Sequence, residues 1–147
     1  MMKRVILIGE TGSGKTTLMQ LLNEWEIKYH KTQQVYFTDN VIDTPGEFLE
    51  NRFYYNALVS SAVGADCIAL VQSITNRQNY FPPCFSSRFT KPMIGIITKT
   101  DLNHDQADLD LAEKRLRLAG AKKVFSLSTV NQEGVSALKN FLLTKDF

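Results

Sequence analysis

Residues 9–16 read Gly9-Glu10-Thr11-Gly12-Ser13-Gly14-Lys15-Thr16, with every required position of the pattern G-x-x-x-x-G-K-[ST] filled. These types at this spacing suit a grip on polyphosphate. The glycines let the backbone curl, so that successive N–H groups point into one concavity. A helix N-terminus behind it adds partial positive charge. Lys15 is placed to reach the β- and γ-phosphates, and the Thr16 hydroxyl to ligate Mg²⁺. Phosphates are expected along residues 12–17, with Thr17 included.

Three later segments extend the chemistry. Asp43-Thr44-Pro45-Gly46-Glu47 follows the apolar pair Val41-Ile42. A carboxylate at a strand end can hold the hydration shell of a cation opposite Thr16, so Asp43 joins Thr16 as a metal-site candidate. Gly46 has no side chain, so its N–H can approach a γ-phosphate, and loss of that phosphate would release the loop. Thr98-Lys99-Thr100-Asp101 follows the apolar run 93–97. The Asp101 carboxylate can accept from guanine N1–H and the 2-amino group, a pair of donors that adenine lacks. The Lys99 stem can lie along the base. Ser126-Leu127-Ser128-Thr129 closes the last apolar run, and N–H groups at Ser128 and Thr129 can meet the guanine carbonyl. Each segment also has a plainer reading: D-T-P-G as a turn, and Asp101 as a helix N-cap.

The elements that must position these residues alternate along the chain. Strands are expected at 4–8, 34–37, 40–43, 66–72, 93–98 and 123–127. Most are short, rich in Val, Ile and Leu, and lack polar alternation, as suits central strands of a parallel sheet covered on both faces. The turn residues Asp39-Asn40 point to a hairpin and one antiparallel edge strand. Helices are expected at 15–25, 47–63, 105–119 and 134–143. In the third, Asp105, Asp108 and Asp110 crowd the start, Lys114, Arg115 and Arg117 the end, and Gly120 supplies a stop. The irregular stretch 73–91 around Pro82-Pro83 stands where a full helix would be expected, and reads as a short helix in a long loop. The fold class is a single-domain three-layer α/β/α arrangement over residues 1–147.

Composition excludes several classes. A chain of 147 residues with 44% hydrophobic and 22% charged residues suits one soluble globular domain. A formal net charge of +2 argues for neither nucleic acid nor a membrane surface as partner. Met1-Met2-Lys3-Arg4 begins like a leader, but cleavage after the following apolar run would destroy the phosphate loop, so none is expected. Cys67 and Cys84 have no scaffold or zinc spacing and read as reduced cytosolic thiols. His30 and His104 are isolated.

Phosphate loop, D-T-P-G, T-K-x-D and a terminal S-T stand in order, each at a strand end. Together they resemble a small Ras-like or Era-like GTPase domain over nearly the whole chain. The resemblance is closer still to the EutP/PduV family of ethanolamine and propanediol utilisation. It rests on the short length, residues 9–16, Lys31-Thr32-Gln33 as a compact first switch, residues 42–48, Phe81-Pro82-Pro83, and Lys91-Pro92 before residues 98–101. Membership implies a cytoplasmic bacterial protein associated with metabolic microcompartments, with a shell or enzyme partner. It also implies GTP/GDP with Mg²⁺, and Thr32 as a further metal ligand.

Three departures shape the expectation. Thr98 replaces the commoner Asn, removing an amide able to tie the base loop to the phosphate loop and weakening the expected guanine preference. Glu47 stands where many GTPases carry a water-orienting Gln, so hydrolysis is expected to be slow. The segment between Thr32 and Asp43 is short, which reduces the effector surface. The leading expectation is a GTP-binding switch whose catalytic groups are Lys15, Thr16, Gly46 and Glu47. Two others stay open. One is a small metabolite kinase acting on a carboxylate such as acetate, with ATP possible and with Arg77 and Arg88 in a lid over 73–91. The other is a nucleotide-dependent interaction module with little turnover, using aromatics in Phe53-Tyr54-Tyr55 or 81–89. At helical spacing the first of these groups reads more simply as core.

Overall fold

Runs of Val, Ile and Leu without polar alternation can be satisfied only where both faces of a strand are covered. In the computed structural model that is their setting. It describes residues 3–31, 41–76, 78, 80–103 and 105–144, without the side chains of residues 25–31 and 43. Strands β1 (Val5–Gly9), β2 (Val41–Asp43), β3 (Cys67–Ser73), β4 (Met93–Thr98) and β5 (Lys123–Ser126) form one sheet in the order β2-β1-β3-β4-β5. Every described pairing is parallel, with Val5 opposite Val41, Gly9 opposite Val71 and Ser73 opposite Thr98. The expected hairpin and antiparallel edge strand fall on residues 32–40, outside the described residues.

Alternate residues of one strand serve two cores. Val5 and Leu7 pack with Leu18 and Leu22 of α1 (Lys15–Lys31) and with Leu138, Phe141 and Leu142 of α5 (Val135–Leu143). Ile6 and Ile8 pack with Leu49 of α2 (Glu47–Glu50), Leu58 of α3 (Tyr55–Ser61) and Leu116 of α4 (Gln106–Ala119). The result is the three-layer architecture of phosphate-loop nucleoside triphosphatases, with the loop after β1 at the carboxyl edge of the sheet. No described helix is long and apolar enough to cross a membrane.

Two expected helices differ. The first helix runs on to Lys31 rather than ending near Trp25, because the residues after Trp25 contain no Gly or Pro to stop it. The single helix expected over 47–63 is broken at Asn51. There the backbone is extended (φ −128°, ψ 117°), and the side chain accepts from the Phe53 N–H at 3.0 Å. An Asn side chain that bonds nearby backbone competes with helix continuation, and here it starts a 3₁₀ turn instead. Among the three aromatics that follow, Tyr55 is buried but Phe53 stands 83% exposed, so the core reading holds for only part of the group.

The stretch 73–91 does hold one short helical turn, Phe85–Arg88. Phe81 and Phe85 are buried, and the Phe85 ring meets Tyr55 at 5.4 Å and Phe89 at 5.2 Å. Aromatic bulk thus covers the lower part of the sheet where a full helix would lie. Lys3 ties the first strand to the last helix: its buried Nζ donates to the Phe141 carbonyl at 2.8 Å and to the Thr144 carbonyl. Cys67 lies inside β3, where burial pushes its thiol up to about 12 and leaves it unreactive. Cys84 is exposed, in a left-handed conformation (φ 61°).

Candidate functional site

The chain leaves β1 at Gly9 and re-enters helix at Lys15, so residues 10–14 must reverse direction at the sheet edge. Gly12 and Gly14 take φ +83° and +93°, which an L side chain resists. The first-turn N–H groups of α1 have no intrahelical acceptor and open into the space this loop encloses. That space is a cleft of about 550 Å³. Its walls bring together Glu10, Thr11, Gly12, Gly14, Lys15, Thr16 and Thr17 from the loop side, Thr44, Pro45 and Gly46 from the segment after β2, and Lys99 from the segment after β4. Gly9 ends β1, and Ser13 is buried beneath the loop.

The D-T-P-G segment is pressed onto the loop. A Cβ at Gly46 would lie 2.4 Å from the Thr11 nitrogen, so this position admits only glycine. Lys15 Nζ donates to the Thr44 carbonyl at 3.0 Å, and Thr44 Oγ1 donates to the Leu7 carbonyl at 2.8 Å. The ammonium is therefore held at the cleft by backbone anchored on β1. Glu47 begins α2, exposed and outside the cleft lining. Asp43 ends β2, and Thr32 lies outside the described residues.

The T-K-x-D segment is locked to the same loop. Thr98 Oγ1 donates to the Ser13 carbonyl at 2.6 Å, and Lys99 Nζ donates to the Gly12 carbonyl at 2.9 Å. The tie expected to be lost with the missing amide is thus made by a hydroxyl instead. Lys99 adopts φ 60°, a left-handed turn that lets its stem run back toward the loop. Ser128 Oγ donates to Asp101 Oδ1 at 2.7 Å, and the Ser128 N–H bonds the Glu133 carbonyl, so the last segment braces the carboxylate. Thr129 follows in the turn whose carbonyl accepts from Gln132 Nε2 at 2.7 Å. The N-cap of α4 is Asp105, bonded to the Ala107 N–H, not Asp101.

Two participants were not singled out from the sequence. Glu50 accepts the Thr11 N–H at 3.1 Å, and the Asn76 side chain lies beside the Glu10 carboxyl. Both join segments far apart in the chain, and neither sits in a recognisable pattern. Glu10 itself is only 3% exposed, with Oε1 lacking a hydrogen-bond partner among the described residues. Burial raises its carboxyl above the ordinary 4.5; the neighbouring Asn76 side chain opposes the rise, Glu50 adds to it and Lys99 opposes it.

That shift has a testable sign. A carboxyl with a raised folded value favours the folded state while protonated, and the advantage disappears as pH climbs from 4.5 through the folded value. Glu10→Gln keeps a neutral group beside Asn76. Thermal unfolding across this range is expected to show parent and variant alike at the acid end, with the variant more stable at neutral pH. Parallel curves would refute the shift.

The described residues contain no group of three or more His, Cys, Asp or Glu able to hold a metal alone. With Thr16 in the cleft wall, the donor set fits a divalent cation that arrives with polyphosphate and takes most of its ligands from it.

Over residues 2–144 the sequence matches the PduV-EutP family, described as "Ethanolamine utilisation - propanediol utilisation". The chain belongs to this family. It is 43% identical over 145 residues to "Propanediol utilization protein PduV" of Citrobacter freundii, covering 99% of this chain and 96% of that protein. It is 32% identical over 149 residues to "Probable acetate kinase EutP" of Escherichia coli (strain K12), covering 98% and 92%. The protein of the same name from Salmonella typhimurium is 32% identical over 146 residues, covering 96% and 89%. The family thus ties the chain to propanediol and ethanolamine utilisation.

Proposed function

We propose that the chain is a Mg²⁺-dependent guanine-nucleotide switch with slow hydrolysis, serving ethanolamine or propanediol utilisation in the cytoplasm at metabolic microcompartments. The observation that carries this reading is the pair of hydrogen bonds from Thr98 and Lys99 to the carbonyls of Ser13 and Gly12. It makes the base-reading and phosphate-reading segments one rigid unit, as a single ligand with a base at one end and phosphates at the other requires. An ATP-specific enzyme has no use for T-K-x-D in that place.

In this reading Lys15 and the first-turn N–H groups of α1 neutralise the phosphates, and Thr16 positions the cation that comes with them. The Gly46 N–H contacts the terminal phosphate, and Asp101 reads the base. Catalysis is charge stabilisation and water positioning. Among the described residues, the cleft lining contains no Gln or His to orient water. Turnover is therefore expected well below the ordinary range of about 1–10³ s⁻¹. Calorimetric titration with GTP, GDP and ATP in Mg²⁺ tests the reading. Tighter guanine nucleotides are expected; equal affinity for all three overturns the base assignment.

A second reading has the names of the two EutP relatives in its favour. An acetate oxygen would attack the γ-phosphorus, the bond to the bridging oxygen would break, and the nucleoside diphosphate would leave. Arg88 gives it no support, since its guanidinium lies 5.1 Å over the Tyr55 ring and outside the cleft lining. Arg77 lies outside the described residues. Incubation with acetate and either triphosphate, followed by trapping with hydroxylamine, decides: hydroxamate above the nucleotide-free blank would establish the kinase.

A further inference from the structure

The crossover from β3 to β4 carries only a 3₁₀ turn where a helix would cover the sheet. Its aromatic side chains fill the lower part of that space, while among the described residues none of them covers the part near the carboxyl edge. There, between the end of β3 and α4, lies a second cavity of about 220 Å³. It is separate from the phosphate cleft, and no residue lines both. Its size suits a molecule of a few heavy atoms.

The lining has distinct parts. Ile74, Leu111, Ala112 and Leu116 make an apolar wall. Leu111, one of two exposed leucines on α4 with Leu118, is 45% exposed and lines the cavity. Arg115, half-buried, supplies a cation beside that wall. Gln72 is buried and commits its amide hydrogens to the carbonyls of Ser73 at 3.2 Å and Asn76 at 3.1 Å. Among the described residues no donor meets its carbonyl oxygen, which is left for a donor on a ligand. Asp108 is exposed two helical turns before Arg115, about 10 Å along the axis, and sets a negative charge at the opposite end of the cavity.

We propose that this cavity is a second ligand site, for a short-chain hydroxylated monocarboxylate. Its carboxylate meets Arg115, its carbon chain the leucines and Ala112, and its hydroxyl the Gln72 carbonyl. Asp108 repels a second anionic group, so dicarboxylates are disfavoured. Small ligand pockets generally combine an apolar body with a few such polar groups.

The site is one residue away from the phosphate loop. Gly9 pairs with Val71, so Glu10 and Gln72 leave neighbouring strands side by side. Asn76 lines the cavity, and its side chain lies beside the carboxyl of Glu10, which lines the cleft. Occupancy that moves Asn76 is therefore felt at Glu10.

Amide NMR titration of the full chain with sodium lactate, against sodium chloride at equal ionic strength, tests the proposal without any nucleotide. Saturable shifts are expected at Ile74, Leu111 and Arg115, with a dissociation constant of about 1–10 mM. Arg115→Gln is expected to weaken binding about tenfold, as loss of a charged hydrogen bond does. Ala112→Phe fills the cavity and abolishes it. Lys15→Ala leaves it unchanged, which separates this site from an anion resting in the phosphate loop. Succinate competes only weakly. Absence of saturation, equal binding in Arg115→Gln, or loss in Lys15→Ala overturns the site. Lactate-dependent shifts at Glu10 and Thr11 that persist in Asn76→Ala overturn the relay.

Discussion

Replacing Lys15 by alanine is expected to lower affinity for GTP and GDP some hundred- to thousand-fold. The reason is burial. The Lys15 side chain is only 9% exposed and its Nζ is fixed by a carbonyl anchored through Thr44 to β1. A charge placed in advance at a partly desolvated site acts on phosphate at far more than its strength in water. Removing one partner of a buried charge pair costs about 3–5 kcal/mol. Each 1.4 kcal/mol is about tenfold in affinity. The Thr44 carbonyl loses a donor in the variant, at about 1–3 kcal/mol of stability if water does not replace it. Calorimetric titration should therefore be paired with a melting curve, so that lost binding is measured on folded protein. A folded variant that binds as tightly as the parent would remove the phosphate assignment.

The sheet and the phosphate loop are legible in the sequence for a physical reason. A strand buried on both faces has no freedom to carry polar residues, and Met93–Thr98 is bounded as its composition requires. A loop that must bend through positive φ and then start a helix needs Gly12, Gly14 and the residues that follow them. What stays hidden depends on contacts between distant segments. Nothing near Asn51 announces that its side chain ends a helix, because the competing bond, to the Phe53 N–H, is as cheap as the helical one it replaces. The Thr11–Glu50 and Glu10–Asn76 contacts join parts of the chain related only by the fold. Thr98 is the instructive case. A family comparison reads it as a lost amide, whereas its hydroxyl reaches the Ser13 carbonyl at 2.6 Å. Residue type is visible in sequence; equivalence of reach is not.

The second large effect concerns the base, and it can be framed as a gain as well as a loss. Asp101→Asn replaces a carboxylate, which accepts from both guanine donors, with one acceptor and one donor group. Loss of a charged hydrogen bond costs about 1.5–3 kcal/mol, so GTP and GDP are expected to weaken about ten- to hundredfold while ATP changes little. The fold should persist, since the asparagine oxygen can still accept from Ser128 Oγ, which now meets Asp101 at 2.7 Å. A xanthine base carries a carbonyl where guanine carries its 2-amino group. The asparagine N–H₂ meets that carbonyl, whereas the parent carboxylate repels it. Xanthosine triphosphate should therefore bind the variant more tightly than it binds the parent. A damaged fold cannot produce that reversal. If the variant weakens GTP, ATP and xanthosine triphosphate together, Asp101 supports the loop rather than reading the base, and the guanine assignment fails while the phosphate site stands.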